Sequence, residues 1–118
     1  MTDAPPPSGG LALPDVVGRY LTAHDHRDTD GALAAFTPGA RVHDDGHDYV
    51  GTDEIRYWLA SASTGFTYTR VLVEATAIGT NQWQVLNHLE GNFPGAAVDL
   101  RYRFVVAGDL ISELVIAV

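Results

Sequence analysis

The sequence has no cysteine, no long apolar run and little positive charge, and each absence narrows the class of protein. A chain of 118 residues without cysteine can form neither disulfides nor thiolate metal sites. No apolar run approaches the roughly 20 residues of a membrane-spanning helix, and no basic stretch with an apolar core opens the chain. A net charge of −8 disfavours nucleic acid and anionic membrane as partners. We therefore expect a cytoplasmic protein with neither partner.

The apolar content is sufficient for one folded core. Hydrophobic residues make up 46% of the chain and charged residues 19%, which is typical of a globular domain. Residues 1–10, MTDAPPPSGG, contain three consecutive prolines followed by Ser-Gly-Gly, and such a segment cannot bury enough surface to fold. No internal repeat or second linker follows. We predict a disordered tail over residues 1–10 and a single domain over residues 11–118.

Helical periodicity appears in three segments of the first half. One helix is predicted from Pro14, a second from a cap at about Asp30 to Phe36, and a third from a cap at Thr52. Residues 40–45 indicate a short strand, and residues 46–51 its turn. The apolar-leaning stripes are Val16, Val17, Tyr20, Leu21 and His24 in the first helix, and Ile55, Trp58 and Leu59 in the third.

The second half indicates a β-meander. Residues 66–78, 82–90, 97–106 and 110–118 are rich in β-branched and aromatic side chains, and turn-forming residues separate them. The links are too short for parallel crossovers, so we expect antiparallel pairing and an α+β fold. Strand alternation predicts a set of side chains that face the helices: Trp83, Val85, Asn87, Leu89, Leu100, Tyr102, Phe104, Val106, Leu114, Ile116 and Val118.

One long stretch resembles a known group of proteins. The segment RYLTAHDHRDTDGALAAFTPGARVHDDG, residues 19–46, is similar to the opening of the ketosteroid isomerases and SnoaL-like polyketide cyclases. Gly51, Ile55 and Trp58 fit the same pattern, as does the Tyr-Arg-Phe strand at residues 102–104. The resemblance implies the nuclear-transport-factor-2-like (NTF2-like) cone, in which three N-terminal helices pack on a strongly curved, mostly antiparallel sheet. It also implies a pocket that works without a cofactor.

The resemblance assigns roles to individual positions. Asp44 falls on the general base of the isomerases, and Tyr20 on the phenol that donates to the developing oxyanion. The second acidic donor of that family is replaced by Leu100, and the tyrosine behind the phenol by Leu59. Asn87, a polar residue on an apolar strand face, is best placed to substitute. The pocket that the resemblance implies is shaped by Trp58, Trp83, Tyr102, Leu114 and Ile116.

Two functions fit these features. The first is a cofactor-independent acid–base enzyme, of isomerase, cyclase or dehydratase type, acting on a small, largely apolar carbonyl compound such as a polyketide or a steroid-like molecule. The alternative is a non-catalytic protein on the same fold that binds a small hydrophobic ligand or serves as an accessory subunit. Epoxide hydrolysis is a lesser variant of the first, because its inward Asp-Arg-Asp relay is not visible in the sequence.

The surface carries three further expectations. No metal is expected, because successive strand residues point to opposite faces, so His43 and Asp44 cannot converge on one ion. His24 and His26 lie at a helix end and are expected at the surface. The outer face of the sheet should carry an ion-pair ladder formed by Asp99, Arg101 and Arg103, near His88 and Glu90. We expect a homodimer through this face, which also carries Leu86, Val105 and Val115.

Overall fold

The computed structural model describes residues 13–62, 68–91 and 96–118, and the predicted tail at residues 1–10 lies outside them. Residues 66–67 of the predicted strand 66–78 and most of the turn at residues 91–95 also lie outside them. Within the described residues, no helix is long and apolar enough to cross a membrane. The helices are α1 (Asp15–Asp25), α2 (Thr29–Leu33) and α3 (Thr52–Ala62). The strands are β1 (Phe36–Asp44), β2 (His47–Val50), β3 (Tyr68–Gly79), β4 (Gln82–Gly91), β5 (Ala97–Ala107) and β6 (Leu110–Ala117).

The second helix begins and ends earlier than predicted. Asp28, not Asp30, is its N-cap, and its carboxylate accepts a hydrogen bond from the Gly31 backbone N–H at 3.0 Å. The helix ends at Leu33, and Phe36 already belongs to β1, where its ring is buried in the core. The predicted cap was therefore wrong by two residues, because either aspartate satisfies the capping pattern, and the predicted end was wrong by three residues.

The sheet confirms the predicted meander and adds a hairpin. Its six strands run in the order β2-β1-β6-β5-β4-β3. All neighbours pair antiparallel except β1 and β6, which run parallel. The predicted turn at residues 46–51 was wrong, because His47–Val50 forms β2. The turn is only Asp45-Gly46, and positive φ angles of 53° and 78° at these residues suit a two-residue hairpin.

Irregularities in strand pairing accompany the curvature of the sheet. Register shifts occur between Leu72 and Glu74, between Ala77 and Gly79, and between Val105 and Val106. Such bulges bend a strand and increase its twist, which lets the sheet wrap around the helices. The buried apolar cluster lies between the two layers and includes Tyr20, Ile55, Phe104, Ile111 and Leu114. The α+β, NTF2-like fold class is confirmed.

Strand alternation correctly separated the two faces of the meander. Val85, Asn87, Leu89, Tyr102, Phe104, Val106, Leu114 and Ile116 are buried, and Trp83 and Leu100 are half-buried. Val118 is the exception, with 85% of its surface exposed. It follows the last residue of β6, so no neighbouring strand holds it toward the core.

The outer face of the sheet carries a cluster of ionic contacts around His88. The His88 ring lies 2.6 Å from Asp99 Oδ1 through Nδ1 and 2.8 Å from Glu90 Oε2 through Nε2. These hydrogen bonds to Asp99 and Glu90 raise the pKa of His88. The predicted ladder is thus formed in part. Within the described residues, its hydrogen-bonded ion pairs involve His88, while Arg101 and Arg103 are exposed.

The Asp28 cap can be tested by a pair of substitutions. Asp28→Ala removes the acceptor for the Gly31 N–H and is expected to lower the free energy of unfolding by about 1 kcal/mol. Asp28→Asn keeps a capping oxygen and should stay within a few tenths of a kcal/mol of wild type. Urea unfolding of the three proteins measures the difference. Equal stability of the alanine and asparagine variants would show that the cap contributes nothing.

Candidate functional site

The strand register arranges the predicted site residues in three adjacent rows across the inner face of the sheet. The central row contains Asp44, Ile116, Tyr102 and Val85, because each is the direct partner of the next. On one side of this row Asn87 pairs with Leu100. On the other side lie Leu114, Phe104 and Trp83. Asp44 and Asn87 therefore lie on one wall, the inner face of the sheet. Trp83 lies on the opposite side of the central row from Asn87.

Asp44 is held at the end of β1 by a tryptophan from α3. The indole Nε1–H of Trp58 donates to Asp44 Oδ2 at 3.0 Å, and the carboxylate is half-buried. Trp58 is itself buried, and its ring centroid lies 6.2 Å from that of Tyr49 on β2. One carboxylate oxygen is thus fixed in direction by a rigid indole, as expected for a group that must present an oxygen accurately.

Tyr20 lies fully buried on α1 and is held by aromatic contacts. Its ring meets Phe36 edge-on at 5.4 Å and Phe104 at 5.8 Å between centroids. One helical turn later, the His24 ring lies 5.7 Å from Tyr20 and stacks on Trp58 at 6.4 Å. The expectation that His24 is a surface group was wrong, since the i, i+4 spacing puts it on the Tyr20 face of α1. His26 is exposed, as expected.

The surroundings of His24 determine its charge. Burial lowers its pKa below the ordinary value of 6.5, and the Arg70 and Arg27 charges act in the same direction. The Asp25 and Asp44 carboxylates oppose this shift without cancelling it. The imidazole is therefore neutral at neutral pH and lies within electrostatic reach of Asp44.

A second polar cluster surrounds Asn87, and its central residue was not predicted. Arg70 Nη1 donates to Asn87 Oδ1 at 2.8 Å, while Nε and Nη2 donate to the two carboxylate oxygens of Asp25 at 2.8 and 2.6 Å. The Asn87 side chain is fully buried, and no acceptor among the described residues lies within hydrogen-bond distance of its Nδ2. Because Oδ1 accepts from Arg70, Nδ2 must be the donor end of the amide.

Arg70 keeps its charge in this setting. Burial by itself would lower its pKa, but the hydrogen-bonded Asp25 carboxylate, helped by Tyr102 and Tyr20, raises the pKa above the ordinary value. Only 11% of its side chain is exposed. Asp25 and Asn87 thus share one guanidinium. A cavity of about 290 Å³ opens beside it and is lined by His24, Asp25, Arg27, Thr69 and Arg70.

The alternation pattern of β3 does not reveal Arg70 as an inner-face residue. Arg70 and Leu72 share the inner face of β3, but the register shift before Glu74 moves the inner position to Ala75. Simple alternation along the strand therefore breaks at residue 73, and no continuous inner face is visible.

The predicted pocket-shaping residues are mostly packed into the core. Trp58, Tyr102, Leu114 and Ile116 are buried, and Trp83 is half-buried. The structure brings Asp44 to Trp58 and Tyr20 to His24, and it places Asn87 with Arg70. The catalytic and binding roles stay predictions. Within residues 13–62, 68–91 and 96–118, no group of three His, Asp or Glu side chains is placed to hold a metal ion.

Comparison with known families identifies the class of protein. The SnoaL-like domain matches residues 17–113, and the chain belongs to this family. A candidate polyketide cyclase from Sinorhizobium meliloti is 33% identical, with a TM-score of 0.83 over 89% of this chain and 95% of the other. No protein of curated function is significantly similar in sequence.

More distant structures share the fold alone. A Catenulispora acidiphila protein with a ketosteroid isomerase-like fold, in complex with trimethylamine, is 17% identical with a TM-score of 0.78, covering 91% of this chain and 87% of the other. SalBIII, an epoxide hydrolase/cyclase-like enzyme of pyran ring formation in polyether salinomycin, is also 17% identical, with a TM-score of 0.74 and 86% of each chain covered.

The two histidines with shifted pKa values should respond oppositely to pH. The unfolded chain takes up a proton at His24 below about pH 6.5, while the folded chain resists until its lowered pKa is reached, so stability falls as the pH drops through this window. His24→Phe keeps an aromatic ring without this titration. Its stability relative to wild type should improve from about pH 7.5 to 5.5 in urea unfolding.

His88 provides the matched comparison. Its raised pKa contributes stability that is fully present below about pH 6.5 and is lost as the pH rises through the folded-state pKa. His88→Gln should therefore be less stable than wild type at low pH, and this difference in the free energy of unfolding should shrink as the pH rises from about 6.5 through the folded-state pKa. Parallel pH trends for the two variants would contradict the assigned directions.

Proposed function

We propose that this protein is a cofactor-independent acid–base enzyme, of isomerase or cyclase type, that acts on a small, largely apolar carbonyl compound. Membership of the SnoaL-like family and the candidate cyclase at 33% identity support this class. The observation that carries the proposal is the Asn87 amide, whose buried Nδ2 has no protein acceptor among the described residues and which lies on the same inner face as Asp44, three strands and one row away. A buried donor of this kind costs about 1–3 kcal/mol unless an oxygen reaches it.

The proposed chemistry uses a base and two donors. Asp44 removes a proton from the carbon next to the substrate carbonyl, and the electron pair moves onto the carbonyl oxygen to form an enolate. The Tyr20 hydroxyl and Asn87 Nδ2 donate hydrogen bonds to that oxygen. Asp44 then returns the proton to a different carbon in an isomerisation. In a cyclisation, the enolate carbon instead bonds to a second carbonyl carbon of the same molecule, and the new alkoxide takes the proton.

The remaining residues shape the environment. We assign Trp58, Trp83, Tyr102, Leu114 and Ile116 to the apolar lining, with Trp58 also orienting the Asp44 carboxylate. An apolar lining suits a flat ligand with few charged groups. It also excludes water, which strengthens the interaction of the donors with the enolate oxygen.

Epoxide opening is favoured by one observation, the pair between inner-face Arg70 and Asp25, which the strand pattern does not predict. The other inward partner of Arg70 is the amide of Asn87 and not a second carboxylate. An amide cannot take a proton from an attacking water molecule. The carbonyl reaction therefore has the stronger support.

Asp44→Asn tests the base directly. The amide keeps the size of the carboxylate but accepts no proton, so turnover should fall about 10²–10⁴-fold while ligand affinity changes little. The measurement is solvent-deuterium incorporation next to the carbonyl of 2-tetralone, a flat apolar ketone, followed by NMR beside a thermal-shift binding curve. Asp45→Asn, at the exposed neighbouring position, is the matched control and should retain full activity.

Two results would overturn this assignment in different ways. Wild-type exchange in Asp44→Asn would show that Asp44 is not the base. Binding of apolar ketones without any exchange by the wild-type protein would favour the non-catalytic binding protein on the same fold.

We also propose a homodimer formed through the outer face of the sheet. Leu86, Val105 and Val115 lie there half-buried, next to the exposed Arg101 and Arg103. Acidic side chains on the same face, such as Glu74 and Glu113, could meet these arginines across a two-fold axis.

Sedimentation tests the dimer. The wild-type protein should sediment as a dimer at micromolar concentration, and Leu86→Asp should sediment as a monomer, because an unpaired charge would be buried at the centre of the face. Tyr57→Asp, on the exposed side of α3, controls for an added surface charge. A monomeric wild-type protein would contradict the proposal.

A further inference from the structure

The Arg70 guanidinium donates hydrogen bonds in two directions. Its Nε and Nη2 bind both oxygens of Asp25 in a bidentate pair at the end of α1. Its Nη1 points the other way and donates at 2.8 Å to the fully buried Asn87 amide. A surface ion pair between helix and sheet would not require the second contact. The guanidinium thus connects a partly exposed carboxylate to a buried amide.

We propose that the Asp25–Arg70 pair is a positioning device that orients and polarises the Asn87 amide, so that Nδ2 becomes a strengthened donor selective for carbonyl and enolate oxygens. The inference rests on the proposed function in one respect, that Asn87 faces the substrate oxygen. Arg70 acts through Asn87 and does not contact the reacting atoms.

The orientation follows from the geometry of the guanidinium. A planar fork bound to both carboxylate oxygens has little rotational freedom, so the direction of its remaining Nη1–H is fixed. That N–H can only donate, and it therefore holds Oδ1 toward Arg70 and Nδ2 away from it. An amide without such a partner could rotate by half a turn and present its oxygen to the ligand.

The polarisation follows from the charge. A cationic donor on the amide oxygen draws electron density from the nitrogen and makes its N–H a better donor, an effect of about 10–30% per bond in hydrogen-bonded chains. Asp25 balances most of the net charge of Arg70, so the site does not require an anionic ligand. It favours an oxygen that gains negative charge during the reaction.

The same arrangement restricts the ligand. Oδ1 is already engaged by Arg70, so Asn87 offers the ligand a donor but no well-directed acceptor. A carbonyl or enolate oxygen satisfies that donor, whereas an ammonium group does not. The substrate class implied is a ketone or an ester with its carbonyl directed toward β4.

The inference can be tested with 4-nitrophenol, whose phenolate form mimics an enolate oxygen and absorbs visible light. Wild-type protein should bind it with an increased ionised fraction. Arg70→Met should weaken binding about tenfold and lower the ionised fraction, because the amide loses its orientation and its charged partner. Asn87→Asp keeps an acceptor for Arg70 but removes the donor, and it should abolish phenolate binding. Arg41→Met breaks an exposed pair with Asp48 on the outer face and should change neither quantity.

Each outcome decides the inference. Loss of phenolate binding in Asn87→Asp without loss in Arg70→Met would show that Arg70 is only structural. Unchanged phenolate binding in both variants would overturn the proposal entirely. Absence of binding by the wild-type protein would do the same. If Arg70→Met does not fold, Asp25→Asn takes its place, because it weakens the bidentate pair while keeping the guanidinium. An unaltered absorption spectrum of bound 4-nitrophenol in that variant would again contradict positioning.

Deuterium exchange of 2-tetralone reports the proposed reaction separately. Intact phenolate binding without exchange would refute the enzyme and leave the amide inference standing.

Discussion

The ion pair between Arg70 and Asp25 links the two layers of the fold at the point where the candidate site is formed. Asp25 is the last residue of α1, and a negative charge there opposes the helix dipole unless a cation neutralises it. Arg70 provides that cation from β3 and is held by three hydrogen bonds in total. The pair helps to fix the end of α1 against the sheet, and Tyr20 and His24 are carried on that helix.

From this anchor the site extends across the inner face in a chain of contacts. Arg70 holds Asn87, Tyr20 and Tyr102 lie within its electrostatic reach, and His24 stacks on the tryptophan that binds Asp44. His24 interacts electrostatically with both the Arg70 guanidinium and the Asp44 carboxylate. The proposed base and the proposed amide donor have separate hydrogen-bond partners, Trp58 for Asp44 and Arg70 for Asn87.

The fold was predictable because it is encoded in local patterns. Period-two alternation in β4 and β5 assigned Asn87, Tyr102 and Phe104 to the inner face, and turn residues delimited the meander. The errors lie where local patterns are ambiguous. Either Asp28 or Asp30 could cap α2, and the four-residue strand β2 is too short for alternation to be recognised.

The site was predictable only in part, because its polar contacts join residues distant in sequence. Asp44 and Tyr20 were found through a resemblance, and Asn87 through its polarity on an apolar strand. Arg70 and Asp25 are 45 residues apart, and a register shift interrupts the pattern that would have placed Arg70 on the inner face. The position of His24 near a helix end predicts solvent exposure, whereas its ring stacks on Trp58 of α3 and is half-buried.

The two ends of the Asn87 amide differ in their partners. A leucine of similar size would remove the unsatisfied Nδ2 donor, but it would also take the acceptor from Arg70 Nη1, so Oδ1 has a structural role and Nδ2 alone lacks a protein partner among the described residues. The cost of burying that donor is recovered when an oxygen binds to Nδ2. Ligand binding and folding are therefore coupled at this residue, since whatever satisfies the donor stabilises the folded chain. Because the same donor would act on the charge that develops during enolate formation, the destabilised amide also provides the preorganised dipole that the proposed catalysis needs.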